Sequence, residues 1–444
     1  MWACGSNHSK NPGDPPAGPA DSGWITPIEF GTPGPWSAEE VSLFGAAQGL
    51  DEAVVDASTD EAEYLWVVSR GALYLMRPGE TSFQKFTGAD GLFIANAMPP
   101  GITAVCGGAP GEVFVGYRGA DIDDVQTNPE RFKGKLDRAL LHADGSLQVT
   151  HYDIHNNDAV GFDSEGNVIR LPNGKVDPQY TDWSFHEDRT VERFLYDHLD
   201  HRGTLYIGYN HGVGRIDAGK VDPITGFDYA DHVHPMVINS QGTQRMGAWR
   251  ALALDPMIRK DRKGRDASSI LWMGGRWTAG AATWTPSLYD WTSNPRNPLW
   301  VGFSSPPVFP VAEGDDVYIL GIAPLSDGTV LFASGPGDWG FTPLGIARMR
   351  GGEATVYLSP ESDLGLPSRD IVDMQRLPDD TVLIALRSDG LWRWNPNPAP
   401  KGQAPARIAG LPSQQILRVY VDRMVNPTAV WVSTGNGLAL LRLP

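Results

Sequence analysis

Residues Ala429-Val-Trp-Val-Ser-Thr-Gly-Asn-Gly-Leu438 read as an apolar stretch, a glycine-bearing turn and the start of a second apolar stretch. The same phrase recurs as Tyr64-Leu-Trp-Val-Val-Ser-Arg-Gly-Ala-Leu-Tyr74, Thr204-Leu-Tyr-Ile-Gly-Tyr-Asn-His-Gly-Val-Gly214 and Thr381-Val-Leu-Ile-Ala-Leu-Arg-Ser-Asp-Gly-Leu-Trp392. Weaker copies lie at Glu112-Val-Phe-Val-Gly-Tyr117, Ile270-Leu-Trp-Met-Gly-Gly275 and Val330-Leu-Phe-Ala-Ser334. Seven copies of one hairpin predict a repeat architecture, in which each unit buries its apolar face only against its neighbours.

The landmark side chain of each copy falls at Trp66, Phe114, Tyr206, Trp272, Leu331, Leu383 and Trp431, at intervals of 48, 92, 66, 59, 52 and 48 residues. Those intervals suit four-stranded propeller blades of ~40–50 residues carrying insertions. The predicted fold is therefore an all-β, seven-bladed β-propeller. The long interval contains Gly161-Phe-Asp-Ser-Glu-Gly-Asn-Val-Ile-Arg-Leu-Pro-Asn-Gly-Lys-Val176, read as a hairpin inserted at about 158–183, with an eighth blade as the alternative.

The last unit stops after its third strand, at Leu441-Arg-Leu-Pro444. Trp36-Ser-Ala-Glu-Glu-Val-Ser-Leu-Phe-Gly-Ala-Ala-Gln-Gly-Leu50 matches Thr81-Ser-Phe-Gln-Lys-Phe-Thr-Gly-Ala-Asp-Gly-Leu92, the fourth strand of the first unit. The N-terminal strand is thus expected to complete the last blade and remove two free edges. On this division 1–23 is a tether and 24–444 the propeller.

Glycine and proline make up about a fifth of the 444 residues, against a usual ~12 %, as many tight turns require. A net charge of −17 excludes nucleic acid as a natural partner, because counterion release needs clustered Lys and Arg. The basic run Arg259-Lys-Asp-Arg-Lys-Gly-Arg265 reads as a solvated loop. No apolar run is long enough to span a bilayer.

At the N-terminus, Trp2-Ala3-Cys4-Gly5 resembles the processing site of a bacterial lipoprotein, in which the cysteine is lipidated. Residues 5–23 have the Gly, Pro, Ser and Asn content of a tether that cannot bury a core. The expected compartment is the bacterial cell envelope, periplasm or outer-membrane surface, with membrane contact only through the lipid. The alternative is a plain terminus with a chance cysteine. Cys106, in an apolar strand, reads as an inert buried thiol, so no disulfide framework is implied.

The phrases Gly410-Leu-Pro-Ser-Gln-Gln-Ile-Leu-Arg-Val-Tyr-Val-Asp422 and Gly365-Leu-Pro-Ser-Arg-Asp-Ile-Val-Asp-Met374, each followed by the apolar strand and Gly-Leu turn, resemble the repeats of two-component-regulator propellers. The resemblance implies an extracytoplasmic sensor propeller, often a glycan binder. The family's membrane helix and kinase are absent from this sequence.

Antiparallel alternation sends the connections between blades and the turns between second and third strands to one end of the ring, here the upper face. His155, His186, His232 and His234 are assigned to connections between blades and His211 to a second-to-third-strand turn, whereas His198 and His201 go to the opposite face and His142 to a strand. Asp121, Asp123 and Asp124, and Arg276, Trp277, Asp338 and Trp339, join the upper face. Imidazoles beside carboxylates suit a transition metal, zinc, copper, nickel or manganese, with calcium as another candidate; the expected metal set is His186, His211 and His234, with His232 and His155. Arg276, Trp277, Asp338, Trp339 and Asp121 are the expected ligand-binding residues, with tryptophan stacking on sugar rings. A metal-free ligand site built from the same residues is the alternative, and turn capping or packing is the plain structural reading of each.

No phosphate loop, Gly-x-Ser-x-Gly elbow or Cys-x-x-Cys pair is present, which removes most familiar enzyme classes. Three functions remain: a monomeric, lipid-anchored propeller that binds a small molecule or glycan; a metal- or His-dependent lyase or hydrolase acting on a carbohydrate-like substrate; and a protein-interaction scaffold.

Overall fold

A computed structural model describes residues 24–27, 40–50, 53–96, 101–119, 134–154, 172, 190–197, 204–209, 213–221, 228–233, 236–239, 242–245, 247–255, 257–259, 271–276, 281–284, 300–303, 308–309, 317–337, 340, 342–350, 353–422 and 429–443. The chain is all-β with short 3-10 turns, and its described strands form seven four-stranded and two two-stranded antiparallel sheets. Sheet one is Asp56–Thr59, Leu65–Val68, Leu73–Met76 and Gln84–Phe86. Sheet two is Ile102–Gly107, Glu112–Tyr117, Gly134–Leu141 and Leu147–Ile154, and sheet three is Val191–Asp197, Thr204–Tyr209, Val213–Val221 and Asp228–Val233. Sheet four comprises Gly247–Leu254, Leu271–Arg276, Ala281–Trp284 and Trp300–Phe303; sheet five comprises Ile319–Pro324, Thr329–Ser334, Ile346–Arg350 and Glu353–Leu358. Sheet six is Ile371–Arg376, Val382–Leu386, Gly390–Trp394 and Ala406–Arg407. In sheet seven, Ile416–Val421, Ala429–Thr434 and Gly437–Arg442 are joined by Glu40–Phe44, which pairs antiparallel with Gly437–Arg442.

Why the second strands are continuous apolar runs follows from where their two faces go. In sheet one, Trp66 and Val68 pack on sheet two, while Leu65 and Val67 pack on Trp431, Leu438 and Leu440 of sheet seven. A strand buried on both faces loses the polar alternation of a half-exposed one. The remaining buried clusters join sheets two and three, three and four, four and five, five and six, and six and seven. Each first strand lies beside the first strand of the next sheet, and that of sheet seven lies beside that of sheet one. This radial stacking is a β-propeller.

The Gly-Leu pairs that follow the fourth strands of sheets one, five, six and seven have a backbone cause. Gly49, Gly91, Gly365 and Gly410 hold φ of 93°, 95°, 72° and 84°, a left-handed conformation that glycine adopts without steric cost. Leu50, Leu92 and Leu366, which follow, are buried. The matched segments 36–50 and 81–92 share this design, since Ala46–Gln48 and Gly88–Asp90 are both 3-10 turns closed by such a glycine.

A second device is a tryptophan latch. Asp60, at the end of a first strand, accepts from Trp66 Nε1 at 3.1 Å and from the Gly111 N–H of sheet two at 2.9 Å. Asp255 accepts from Trp272 Nε1 at 3.0 Å in sheet four.

Gly116, Gly208 and Gly274 lie within second strands, as expected for Gly208. They are there because the next sheet comes close: a Cβ on Gly208 would stand 2.1 Å from the Trp249 carbonyl oxygen. Gly208→Ala is expected to destabilise by about 1–3 kcal/mol through overpacking, measured by urea unfolding; a change within error would show that the two sheets can part freely. The structure corrects several local expectations. His142 lies in the turn after Leu141, not in a strand. His232 is inside the strand Asp228–Val233, opposite Gly214, rather than in the connection after it. Arg259 is in a short strand, Met257–Arg259, paired with Trp24–Pro27, so this end of the basic run is not loop. The insertion at 158–183 lies outside the described residues except for exposed Pro172.

Candidate functional site in the axial channel

First strands line the axis, and their register is irregular where it matters. Bulges separate Ile102 from Ala104, Val191 from Arg193, Gly247 from Ala251, Ile319 from Gly321, Ile371 from Asp373 and Ile416 from Arg418. A bulge sets two residues against one and re-aims their side chains. Around the ring the residue at this position is Asp56, Ala104, Arg193, Ala251, Gly321, Asp373 and Arg418. Glu192 and Arg250 stand one position earlier. Six charged side chains thus stand at or beside this position in the first strands.

Two aspartates do the same job in different sheets. Asp56 accepts from its neighbour Ala57 N–H at 3.0 Å and from the Val105 N–H of sheet two at 3.2 Å. Asp373 accepts from Met374 N–H at 2.9 Å and from the Val419 N–H of sheet seven at 3.1 Å. Each carboxylate ties its first strand to the next one.

Two arginines cross the axis in opposite senses. Arg193 of sheet three donates to Asp373 Oδ1 at 3.0 Å and to the Val419 carbonyl at 3.5 Å, on sheets six and seven. Arg418 of sheet seven donates to the Glu192 carbonyl of sheet three at 2.6 Å. Arg250 donates to Glu192 Oε2 at 2.7 Å and sits over the Tyr318 ring, 5.8 Å from its centroid.

Burial dominates the electrostatics. It pushes the Asp56 carboxyl above its ordinary value, against the opposing pull of Arg418, Arg193 and two backbone N–H groups. Burial also opposes the charge on Arg193, but Asp373, aided by Asp56, more than restores it. Arg418 is shifted down, first by burial and next by repulsion from Arg193, with Asp56 only partly compensating. The Cys106 thiol nearby is pushed up to about 12 by burial, so it is the inert thiol its strand suggests.

The Asp56 shift has a testable sign. A carboxyl raised on folding contributes stability that is fully present below the ordinary value of 3.8 and is lost as pH rises through its folded value. Asp56→Asn removes this titration. The Tm of the natural protein, relative to Asp56→Asn, is therefore expected to fall as pH is raised from the acid side through the window above the ordinary value; a pH-independent difference would refute the buried-carboxyl account.

A second polar cluster lies away from the axis in sheet two. Asp137, fully buried, accepts from Phe93 N–H at 2.8 Å and Tyr117 Oη at 2.5 Å, and its Oδ1 lies 2.6 Å from His151 Nδ1. Asp137 and burial together hold the Tyr117 phenol well above its usual value, burial contributing most. The half-exposed His151 ring meets Phe93 edge-on, at 6.1 Å between centroids.

Of the residues expected from sequence, His155, His186, His211, His234, Asp121, Asp123, Asp124, Trp277, Asp338, Trp339 and Cys4 lie outside the described residues. Arg276 ends a strand opposite Gly247. Among the described residues no group of three His, Cys, Asp or Glu could hold a metal. The axial charges were missed in sequence, although Ile416-Leu-Arg-Val-Tyr-Val, Ile371-Val-Asp-Met and Val191-Glu-Arg-Phe each set a charge within an apolar strand.

No known protein family matches the chain, and no curated protein does. Solved structures do. Saccharomyces cerevisiae Sqt1 matches with a TM-score of 0.50 and 9% identity, over 92% of this chain and 100% of its own. The WD40 β-propeller domain of Doa1 gives 0.49 and 11% over 92% and 96%. The extracellular domain of a hybrid two-component system from B. thetaiotaomicron gives 0.48 and 13%, over 92% of this chain and 42% of that one, so the chain spans about two fifths of its length. The likeness is one of fold. No helix among the described residues is long and apolar enough to cross a membrane.

Proposed function

We propose that this chain is a ligand-binding β-propeller of the bacterial cell envelope, a seven-bladed ring closed by its N-terminal strand, with a small molecule or glycan taken at the axial mouth. The observation that carries the reading is the convergence of Asp56, Glu192, Arg193, Arg250, Asp373 and Arg418 on the axis. A propeller built only to be stable needs no such cluster, because well-packed apolar side chains stabilise a core at least as well as buried ion pairs do. The seven sheets, the pairing of Glu40–Phe44 with Gly437–Arg442 and the packing of sheet seven on sheet one support the ring.

The large apolar side chains exposed among the described residues, Leu43, Leu140 and Tyr357, lie on sheets seven, two and five. They are scattered, so a docking face for a protein gains no support from them.

The test is a thermal-shift screen of the purified protein against neutral oligosaccharides, acidic sugars and small carboxylates, with saturable stabilisation followed by calorimetry. Binding is expected to stabilise by mass action, and it should be lost in the double replacement Arg193→Met with Arg250→Met. Binding that survives this replacement would move the site off the axis. The metal role of His186, His211 and His234 belongs to the same proposal, and elemental analysis without stoichiometric metal would refute it. Tethering through Cys4 predicts that protein expressed with a lipoprotein signal partitions with membranes, and that Cys4→Ser releases it; soluble protein in both cases would refute the anchor.

A further inference from the structure

The axial charges do not pair off. Arg250 pairs with Glu192 at 2.7 Å and Arg193 with Asp373 at 3.0 Å. Asp56 and Arg418 are left over, and they are not partners: no carboxylate oxygen of the described residues lies within 4.0 Å of the Arg418 guanidinium. Both Asp56 oxygens are already held by backbone N–H groups.

Arg418 thus has no carboxylate partner among the described residues and makes one hydrogen bond, to a peptide carbonyl. A guanidinium has five N–H donors in a planar fork. Those of Arg418 not bonded to Glu192 are not sealed from solvent, and the residue is partly exposed. Its charged company is mixed: Arg193 and Arg250 repel it, while Asp56 and Asp373 attract it without forming an ion pair. On the first strand of sheet two, Thr103 Oγ1 is buried without a hydrogen-bond partner among the described residues.

We propose that Arg418 anchors a carboxylate of the bound ligand, an acidic sugar or a small organic acid, a step that rests on the ligand-binding reading above. A carboxylate reaching Arg418 turns a partly exposed cation without an ion-pair partner into a two-bond, charge-assisted pair. It also relieves the repulsion among three arginines. The shape of the fork favours the planar carboxylate over a neutral hydroxyl. The chain as a whole carries −17, so its outer field repels anions and the attraction is local to this mouth.

The proposal separates binding from bracing. A brace lost is a protein destabilised, whereas an unpaired cation removed is a protein left equal or improved. The experiment compares the natural protein and Arg418→Gln by thermal shift and calorimetry, with glucuronate as the probe and glucose as the neutral control, at matched ionic strength. Glucuronate is expected to stabilise the natural protein saturably and glucose not, and Arg418→Gln is expected to weaken glucuronate binding about tenfold or more. Without ligand, Arg418→Gln should melt at the same temperature or about 1–2 °C higher. Equal glucuronate binding by both proteins would overturn the assignment, as would a lower Tm for unliganded Arg418→Gln. If glucose binds as well as glucuronate, or neutral oligosaccharides bind and no acid does, the carboxylate inference fails while the ligand-binding reading stands.

Discussion

Asp373→Ala is expected to cost about 3–5 kcal/mol of stability, the usual penalty for removing one partner of a buried ion pair. Asp373 is fully buried and accepts four hydrogen bonds, from Arg193 Nη1, Gln375 Nε2, Met374 N–H and Val419 N–H, all between 2.9 and 3.1 Å. Its removal leaves a guanidinium unpaired near the axis and two backbone donors orphaned at the junction of sheets six and seven. The cost is that of stranded partners, not of the bonds alone. Combining Arg193→Met with Asp373→Leu should recover most of the loss, since no charge is then left unpaired. Urea unfolding of the three variants checks this; a loss below ~1 kcal/mol for Asp373→Ala would show that water reaches the site and satisfies it.

Removing residues 1–50 should lower Tm by at least ~5 °C and promote aggregation. Glu40–Phe44 covers the backbone edge of Gly437–Arg442 over five paired residues, and Phe44 packs on Trp431 and Phe83 at centroid distances of 5.7 and 6.1 Å. Leu50 belongs to the cluster between sheets seven and one, so the deletion opens that junction as well as an edge. Deleting only 1–23 should leave Tm unchanged, because that segment has the composition of a tether. A peptide of residues 36–50 added in trans should restore part of the loss. Equal melting of the natural protein and the longer deletion would refute the role of the N-terminal strand.

The propeller was legible in the sequence because its signals are repeated and local. Trp66, Phe114, Tyr206, Trp272, Leu331, Leu383 and Trp431 all fall in second strands, where burial on both faces demands an unbroken apolar run. The match between segments 36–50 and 81–92 was legible for the same reason: a positive-φ glycine and a buried leucine mark both. The axial site escaped for a deeper reason. Arg193, Asp373 and Arg418 come from units far apart in the chain, and their meeting depends on bulges that shift register by one residue. Hairpin periodicity carries no record of that shift. Histidines are conspicuous in a sequence because they carry chemistry by residue type, whereas these arginines gain theirs from position.

The pairing of Glu40–Phe44 with Gly437–Arg442 also sets an order of events in the life of the chain. During synthesis the strand at the beginning emerges early and must wait for a partner hundreds of residues away, while each intervening sheet can form as soon as its own segment is available. Ring assembly is then a sequential process with one slow, long-range final step. Throughout that wait a sheet edge stands open to strands of other chains. A protein that crosses a membrane before folding would pass through this vulnerable interval after translocation, where holding chaperones, not stability, decide its yield.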